Sequence, residues 1–177
     1  YALAKAARNL GASVTLVSGP TVLPDPLDIE IVWVETAREM AQAVDEHFDA
    51  TDALIMTAAV ADFRPATSTE AKLPKDQCPD AVPLERNPDI IAAVAARKKH
   101  QFVVGFAAET GEAETKARAK MERKKLDAIV ANDVAQKGIG FDSDHNEVRI
   151  LFADGRIVPL PQMPKEDLAF AILEKLF

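Results

Sequence analysis

Short apolar runs alternate along the chain with longer stretches in which apolar residues recur every three or four positions. A short apolar run is typical of a buried strand, whereas the longer spacing is typical of an amphipathic helix. Five runs predict strands, and they cover residues 13–19, 29–35, 52–59, 101–109 and 127–133. Because helical stretches separate these runs, the pattern predicts a mostly parallel sheet with helices on both faces.

The predicted helices have recognisable start signals. Thr36 and Glu39 have the spacing of a capping box, in which each side chain accepts a hydrogen bond from the other residue's backbone. Asn87 followed by Pro88 predicts a cap and first-turn pair for the next helix. Charged residues dominate 112–125, and their helical spacing predicts a further, exposed helix.

The C-terminal part departs from this alternation. Residues 146–160 predict a β-hairpin that turns at Asp154 and Gly155, and a helix is expected to start near Pro164. Together with the alternating strands and helices, this predicts an α/β fold. We expect a Rossmann-like three-layer sandwich with a mostly parallel sheet and a C-terminal β-hairpin plus helix.

The chain has 177 residues, a length that fits one globular domain over 1–177. Its apolar residues already follow helical spacing from Leu3 until Gly11 ends the pattern. We therefore expect the domain to be truncated at its N-terminus, with a first strand and a Gly/Ser-rich loop before Tyr1. Residues 67–83 are expected to be flexible.

Composition limits the classes of partner. A net charge of -7 argues against nucleic acid or an anionic membrane, because both attract a basic face. No apolar run approaches the roughly 20 residues that cross a bilayer. Cys78 has no second cysteine to pair with, which fits a reducing compartment such as the cytoplasm. His47, His100 and His145 lack metal-ligand spacing, so no zinc site is predicted.

Polar residues follow the carboxyl ends of the predicted strands. In parallel sheets, ligand sites lie outside these ends. The strand at 52–59 leads to Asp62 and to a loop that contains Lys72 and Lys75, while Phe106 and Asn132 lie near the ends of the next two strands. This arrangement predicts a nucleotide site at one edge of the sheet.

Each of these residues also has a structural explanation. Asp62 and Asn132 can organise turns, and Lys72 and Lys75 can be solvated loop lysines. Phe106 can pack in the core. The residues alone leave both interpretations open.

Lys120 and Lys124 are four residues apart on the charged helix, a spacing at which like charges repel. One explanation is that they complement the negative C-terminal end of the helix dipole. The other is that this helical face offers two ammonium groups to an anionic ligand. Both remain open from the sequence.

A set of short motifs occurs in a fixed order: AAVADFRP, then Lys72, NPDI, VVGFAAET, Lys120 and Lys124, and IVAND. This ordered set resembles phosphopantothenate-cysteine ligase, the C-terminal half of a bifunctional bacterial protein of coenzyme A biosynthesis. The resemblance extends over nearly the whole chain. It implies a two-step reaction in which 4'-phosphopantothenate reacts with CTP to form an acyl-cytidylate, and cysteine then displaces CMP.

The resemblance also implies roles for individual residues. Lys72 matches the catalytic lysine at the head of the family's Lys-x-Lys-Lys motif, which here is KLPK, so that Pro74 replaces its third position and Lys75 remains. Asp62 matches a nucleotide-binding aspartate, directed toward the ribose or a bound Mg²⁺. The other expected nucleotide contacts are Ala58, Ala59, Pro88, Asp89, Ile90, Ile91, Phe106, Lys120 and Lys124. Substrate contacts are expected from Ala59, Lys75 and Asn132.

The family is dimeric, so a homodimer is expected, and its bifunctional members have a fused flavin-dependent decarboxylase domain. Two other classes remain open. A dinucleotide-dependent oxidoreductase would need a Gly-x-Gly-x-x-Gly turn, which the sequence lacks. An inactive fragment that serves only in dimerisation is the other alternative.

Overall fold

A computed structural model describes residues 1–67, 72–74, 80–109, 113–133 and 144–177 of the chain. The helices are α1 (Ala2–Asn9), α2 (Ala37–Phe48), α3 (Ile90–Arg97), α4 (Ala113–Lys124) and α5 (Lys165–Leu176). The strands are β1 (Thr15–Ser18), β2 (Glu30–Trp33), β3 (Ala53–Met56), β4 (Phe63–Pro65), β5 (Leu84–Arg86), β6 (Phe102–Glu109), β7 (Ala128–Asp133), β8 (His145–Phe152) and β9 (Ile157–Pro164).

The central sheet has the strand order β3-β6-β7-β8-β9. Strands β3, β6 and β7 pair in parallel, and β8 is antiparallel to both of its neighbours. Four of the five strands therefore point the same way, which confirms the predicted mostly parallel sheet and C-terminal hairpin. Strands β1 and β2 form a separate parallel pair, and β4 and β5 form a short antiparallel ribbon.

Helices cover both faces of the central sheet because its buried strands are apolar on both sides. Val103 and Ala107 of β6 pack in a cluster with α2, α3 and α4. Val104 lies on the opposite face, in a cluster with Leu168 and Ile172 of α5. Helix α1 packs on α5, so the protein has three layers as predicted. None of the helices among the described residues is both long and apolar enough to span a membrane.

Two predicted helix starts can be compared with the structure. The capping box at α2 is confirmed, since the Thr36 side chain accepts a hydrogen bond from the backbone of Glu39 and the Glu39 carboxylate accepts one from that of Thr36. The predicted cap at Asn87 is wrong. Helix α3 begins at Ile90, and the side chain of Asp89 caps it by accepting a hydrogen bond from the Ala92 backbone.

The ribbon of β4 and β5 was not predicted. Its strands have three residues each and flank the stretch that was expected to be flexible, in which residues 68–71 and 75–79 lie outside the described part of the chain. Backbone hydrogen bonds extend the pairing at both ends, from Ala66 to the Pro83 carbonyl and from Asn87 to the Asp62 carbonyl. The ribbon therefore joins the segment after β3 to the segment before α3.

Gly105 lies inside β6, where α3 and the connection between α4 and β7 press on the sheet. A methyl group at this position would lie 2.8 Å from Cδ1 of Leu126 and 3.4 Å from Cδ1 of Ile91. The first distance is shorter than a van der Waals contact. The absence of a side chain at Gly105 thus lets the start of α3 approach the sheet closely.

We expect Gly105→Ala to lower the free energy of unfolding by about 1–3 kcal/mol, because the added methyl group overpacks a buried site. Urea unfolding of both proteins would measure the difference. Gly19→Ala is the matched control, since a methyl group there would meet only the Val34 carbonyl oxygen at 3.8 Å. Equal unfolding free energies for the Gly105 variant and the parent would contradict the proposed close packing.

Candidate functional site

A cavity of about 950 Å³ opens at the carboxyl ends of β3, β6 and β7. Met56, Gly105 and Ile129, which lie in register on these strands, line it together with Ala108 and Asn132 near the carboxyl ends of β6 and β7. Parallel pairing brings the three ends to one edge of the sheet, which is where α/β folds bind ligands. The cavity therefore lies where the sequence predicted a site.

One wall of the cavity is built from two loop segments. Residues 57–62 follow β3, and residues 86–89 lead into α3. The Asn87 backbone N–H donates to the Asp62 carbonyl at 2.8 Å, and the Asn87 side-chain amide donates to the Ala61 carbonyl at 2.8 Å. These bonds hold the two segments side by side.

Helix α4 supplies the facing wall. Lys120, Arg123 and Lys124 line the cavity from its last two turns. Lys124 is 15% exposed, and its Nζ lies 2.9 Å from both carboxylate oxygens of Asp89. Because Asp89 also caps α3, this ion pair connects the end of α4 to the start of α3.

Positive charge dominates the lining of the cavity. Among the described residues, the lining contains five cationic side chains and two carboxylates, in a protein whose net charge is -7. The cations are Arg86, Lys120, Arg123, Lys124 and Lys165, and the carboxylates are Asp62 and Asp89. An anionic ligand is therefore the ligand class that this cavity suits best.

The structure brings most of the predicted site residues together. The cavity is lined by Ala58, Ala59, Asp62, Pro88, Asp89, Ile90, Ile91, Phe106, Lys120, Lys124 and Asn132. Lys72 is exposed and is not among the lining residues of the described chain, and Lys75 lies outside the described residues. The roles expected for both lysines stay predictions.

Neither of the two explanations for the helical lysines is tested directly. Lys124 bonds to the start of a neighbouring helix rather than to the end of its own. The carbonyl of Lys125, just after α4, instead accepts a hydrogen bond from the side chain of Lys98. The dipole explanation therefore has no hydrogen bond from Lys124 to support it among the described residues.

Asn146 and Lys165 also line the cavity, and the sequence analysis missed them. The strand directions explain why these two residues lie at the site. Strand β8 runs antiparallel to β7, so it begins at the edge where β7 ends, and β9 ends at that same edge. The first residues of β8 and of α5 therefore belong to the rim of the site.

No group of three or more His, Cys, Asp or Glu side chains within the described ranges could hold a metal ion. Asp62 is the carboxylate for which a metal contact was expected. A role of Asp62 toward a metal would therefore need further oxygen ligands, such as those of a bound phosphate or water.

The profile of the family described as "DNA/pantothenate metabolism flavoprotein C-terminal domain" matches residues 1–177. The chain belongs to this family. The protein named "Coenzyme A biosynthesis bifunctional protein CoaBC" is 46% identical to it in Bacillus subtilis and 44% identical in Escherichia coli. Each alignment covers 99% of this chain and 44% of the relative, so the chain spans less than half the length of these curated relatives.

Two solved structures have the same fold. The crystal structure of the C-terminal domain of a CoaBC protein superposes with a TM-score of 0.83 and 39% identity, over 99% of this chain and 79% of that one. A Cab2 mutant in complex with phosphopantothenate-cysteine superposes with a TM-score of 0.60 and 16% identity, over 84% of this chain and 54% of that one. The second likeness shows the fold alone.

We expect Lys124→Ala to weaken the binding of an anionic nucleotide, tested with CTP, about tenfold or more, because it removes a cation whose side chain is only 15% exposed at the cavity wall. Titration calorimetry would measure the affinity, with Lys116→Ala as a control that removes the same charge from an exposed position of α4. The loss of the ion pair with Asp89 should cost about 1–3 kcal/mol of stability, because Lys124 is mostly buried while Asp89 is half exposed. An unchanged affinity with a large loss of stability would favour a purely structural role.

Proposed function

We propose that this chain forms a phosphopantothenate-cysteine ligase domain, which joins 4'-phosphopantothenate to L-cysteine through an acyl-cytidylate and uses CTP. The observation that supports this function best is the cationic cavity at the sheet edge of an acidic protein. The name of the relatives places them in coenzyme A biosynthesis, and they match the chain over almost its whole length.

The first step of this reaction brings two anions together. A carboxylate attacks the α-phosphate of a triphosphate, and the bond to the β-phosphate breaks to release pyrophosphate, so the main catalytic requirement is positive charge placed where negative charge accumulates. The five cations that line the cavity meet this requirement. A nucleophilic side chain is not needed, because the substrate carboxylate is itself the nucleophile.

The two walls of the cavity would bind different parts of the nucleotide. Lys120 and Lys124 are suited to the phosphates, while the backbone around Ala58 and Ala59 is suited to the base and ribose. The start of α3 also lines the cavity, and free backbone N–H groups at a helix N-terminus favour an anion. Phe106 would bound the base, and Asn132 would contact the second substrate.

Magnesium fits this arrangement. Mg²⁺ is commonly held by one or two carboxylates together with substrate phosphates, and does not require a cage of protein ligands. Asp62 lines the cavity and would be that carboxylate. When bound, the ion would neutralise charge on the triphosphate.

Lys72 would act from the loop between β4 and β5. The paired ribbon joins this loop to the cavity wall, because Asp62 and Asn87 lie at the wall end of the ribbon and Ala66 and Pro83 pair at its other end, where the loop begins. A loop that closes from there would bring the ammonium group to the reacting phosphate and exclude water from the mixed anhydride. Lys75 would belong to the same loop.

We further propose that the protein acts as a homodimer in the cytoplasm, without nucleic acid or membrane partners. Phe63 and Leu84 lie on the outer face of the ribbon and are 46% and 60% exposed, which suits an interface between copies. The bifunctional relatives are more than twice as long as this chain. A fused flavin-dependent decarboxylase domain is proposed for the full-length protein.

Nucleotide preference tests this function. We expect the full-length protein with Mg²⁺ to bind CTP at least about tenfold more tightly than ATP or NAD in titration calorimetry. A preference for NAD would instead support an oxidoreductase, and no binding of any of the three would support an inactive dimerisation fragment. Either result would contradict the ligase.

Lys72→Gln in the full-length protein should lower kcat by about 100-fold or more, because it removes a cation from the developing charge while keeping a side chain of similar length. Coupled assays of pyrophosphate release and of product formation would show which step fails. Lys99→Gln, an exposed lysine at the far end of α3, is the matched control. Unchanged rates of both steps in the Lys72 variant would show that the loop has no catalytic lysine at this position.

A further inference from the structure

Arg64 lies in β4, on the inner face of the ribbon, and its guanidinium reaches three groups of the opposite strand and the residue that follows it. One terminal nitrogen donates to the Arg86 carbonyl at 2.9 Å and to the side-chain oxygen of Asn87 at 2.7 Å. The other terminal nitrogen lies 2.6 Å from the Glu85 carboxylate. A planar guanidinium can make these contacts together because its donors have a fixed fork geometry.

These contacts orient Asn87 rather than a ligand. With its side-chain oxygen held by Arg64, the amide NH₂ of Asn87 is directed at the Ala61 carbonyl, 2.8 Å away. The backbone N–H of Asn87 binds the neighbouring Asp62 carbonyl at the same distance. Arg64 is thus connected through Asn87 to both segments that form the loop wall of the cavity, residues 57–62 and 86–89.

The environment of Arg64 also indicates positioning. Its side chain is 21% exposed, and its Nε is the buried side-chain polar atom that has no hydrogen-bond partner among the described residues. A buried donor without a partner is unfavourable. The side chain is nevertheless held in place by its terminal contacts, which all lie on the segment leading into α3.

We propose that Arg64 is a positioning residue for the nucleotide site: through Asn87 it sets the separation of residues 58–62 from residues 87–91, and it thereby sets the affinity for the nucleotide. The ion pair of Arg64 with Glu85 also holds together the two strands from which the loop containing Lys72 extends, because these residues are directly paired in the ribbon. This inference rests on the proposed function, since the ligand is the one proposed above.

Arg38 provides a matched control. Its guanidinium binds the same Glu85 oxygen at 3.2 Å, but it lies on α2, is 66% exposed and does not line the cavity. Arg38→Gln therefore removes one cation from Glu85 without touching Asn87. Comparison of this variant with Arg64→Gln separates the loss of an ion pair from the loss of the contact with Asn87.

The experiment uses the full-length protein and three variants: Arg64→Gln, Arg64→Lys and Arg38→Gln. Thermal melting checks that each is folded, and titration with CTP and Mg²⁺ measures the affinity. We expect Arg64→Gln to weaken CTP binding about tenfold or more and to raise the KM for CTP more than it lowers kcat. Arg64→Lys keeps the positive charge but lacks the planar set of guanidinium donors, so it should weaken CTP binding as Arg64→Gln does. Arg38→Gln should bind CTP as the parent does.

Hydrogen exchange without nucleotide provides a second measurement that does not depend on the identity of the ligand. The amide of Asn87 should exchange faster in both Arg64 variants than in the parent and in Arg38→Gln, because its hydrogen bond to Asp62 is no longer held. An unchanged exchange rate would overturn the positioning role. Faster exchange with unchanged CTP affinity would overturn its link to the ligand, whereas failure of the parent to bind CTP would count against the proposed function alone.

Discussion

Parallel pairing of β3, β6 and β7 is the constraint on which the rest of this structure depends. Because these strands run the same way, their carboxyl ends reach one edge, and each connection that follows must pass over that edge. The loop after β3 and the start of α3 are brought together in this way, and α4 is joined to them through the ion pair of Lys124 with Asp89. The cavity is a consequence of strand direction before any side chain is considered.

Close packing then determines how the cavity is shaped. Gly105 allows α3 to lie near the sheet, so its first turn forms part of the wall instead of standing away from it. Hydrogen bonds from Asn87 tie the neighbouring loop to the same place. Backbone geometry and a small number of polar contacts thus hold the cationic side chains around one volume.

Much of this arrangement could be predicted from the sequence, because the buried strands are long apolar runs and the capping box of α2 depends on local chemistry alone. The start of α3 could not be resolved in the same way. Asn87 and Asp89 are both good capping residues, and only the tertiary contacts of Asn87 decide between them. The three-residue strands of the ribbon are too short to show any periodicity. Asn146 and Lys165 become part of the site only through the antiparallel pairing of β8.

The ion pair between Lys124 and Asp89 bears on how an anion would enter the cavity. The Lys124 side chain is only 15% exposed, so an arriving phosphate would displace less water from its ammonium group than from that of a surface lysine. It would compete with a carboxylate that is half exposed and can return to solvent. An anion that binds at this wall would therefore replace Asp89 as the partner of Lys124. Its affinity would depend on the free energy needed to separate Asp89 from Lys124.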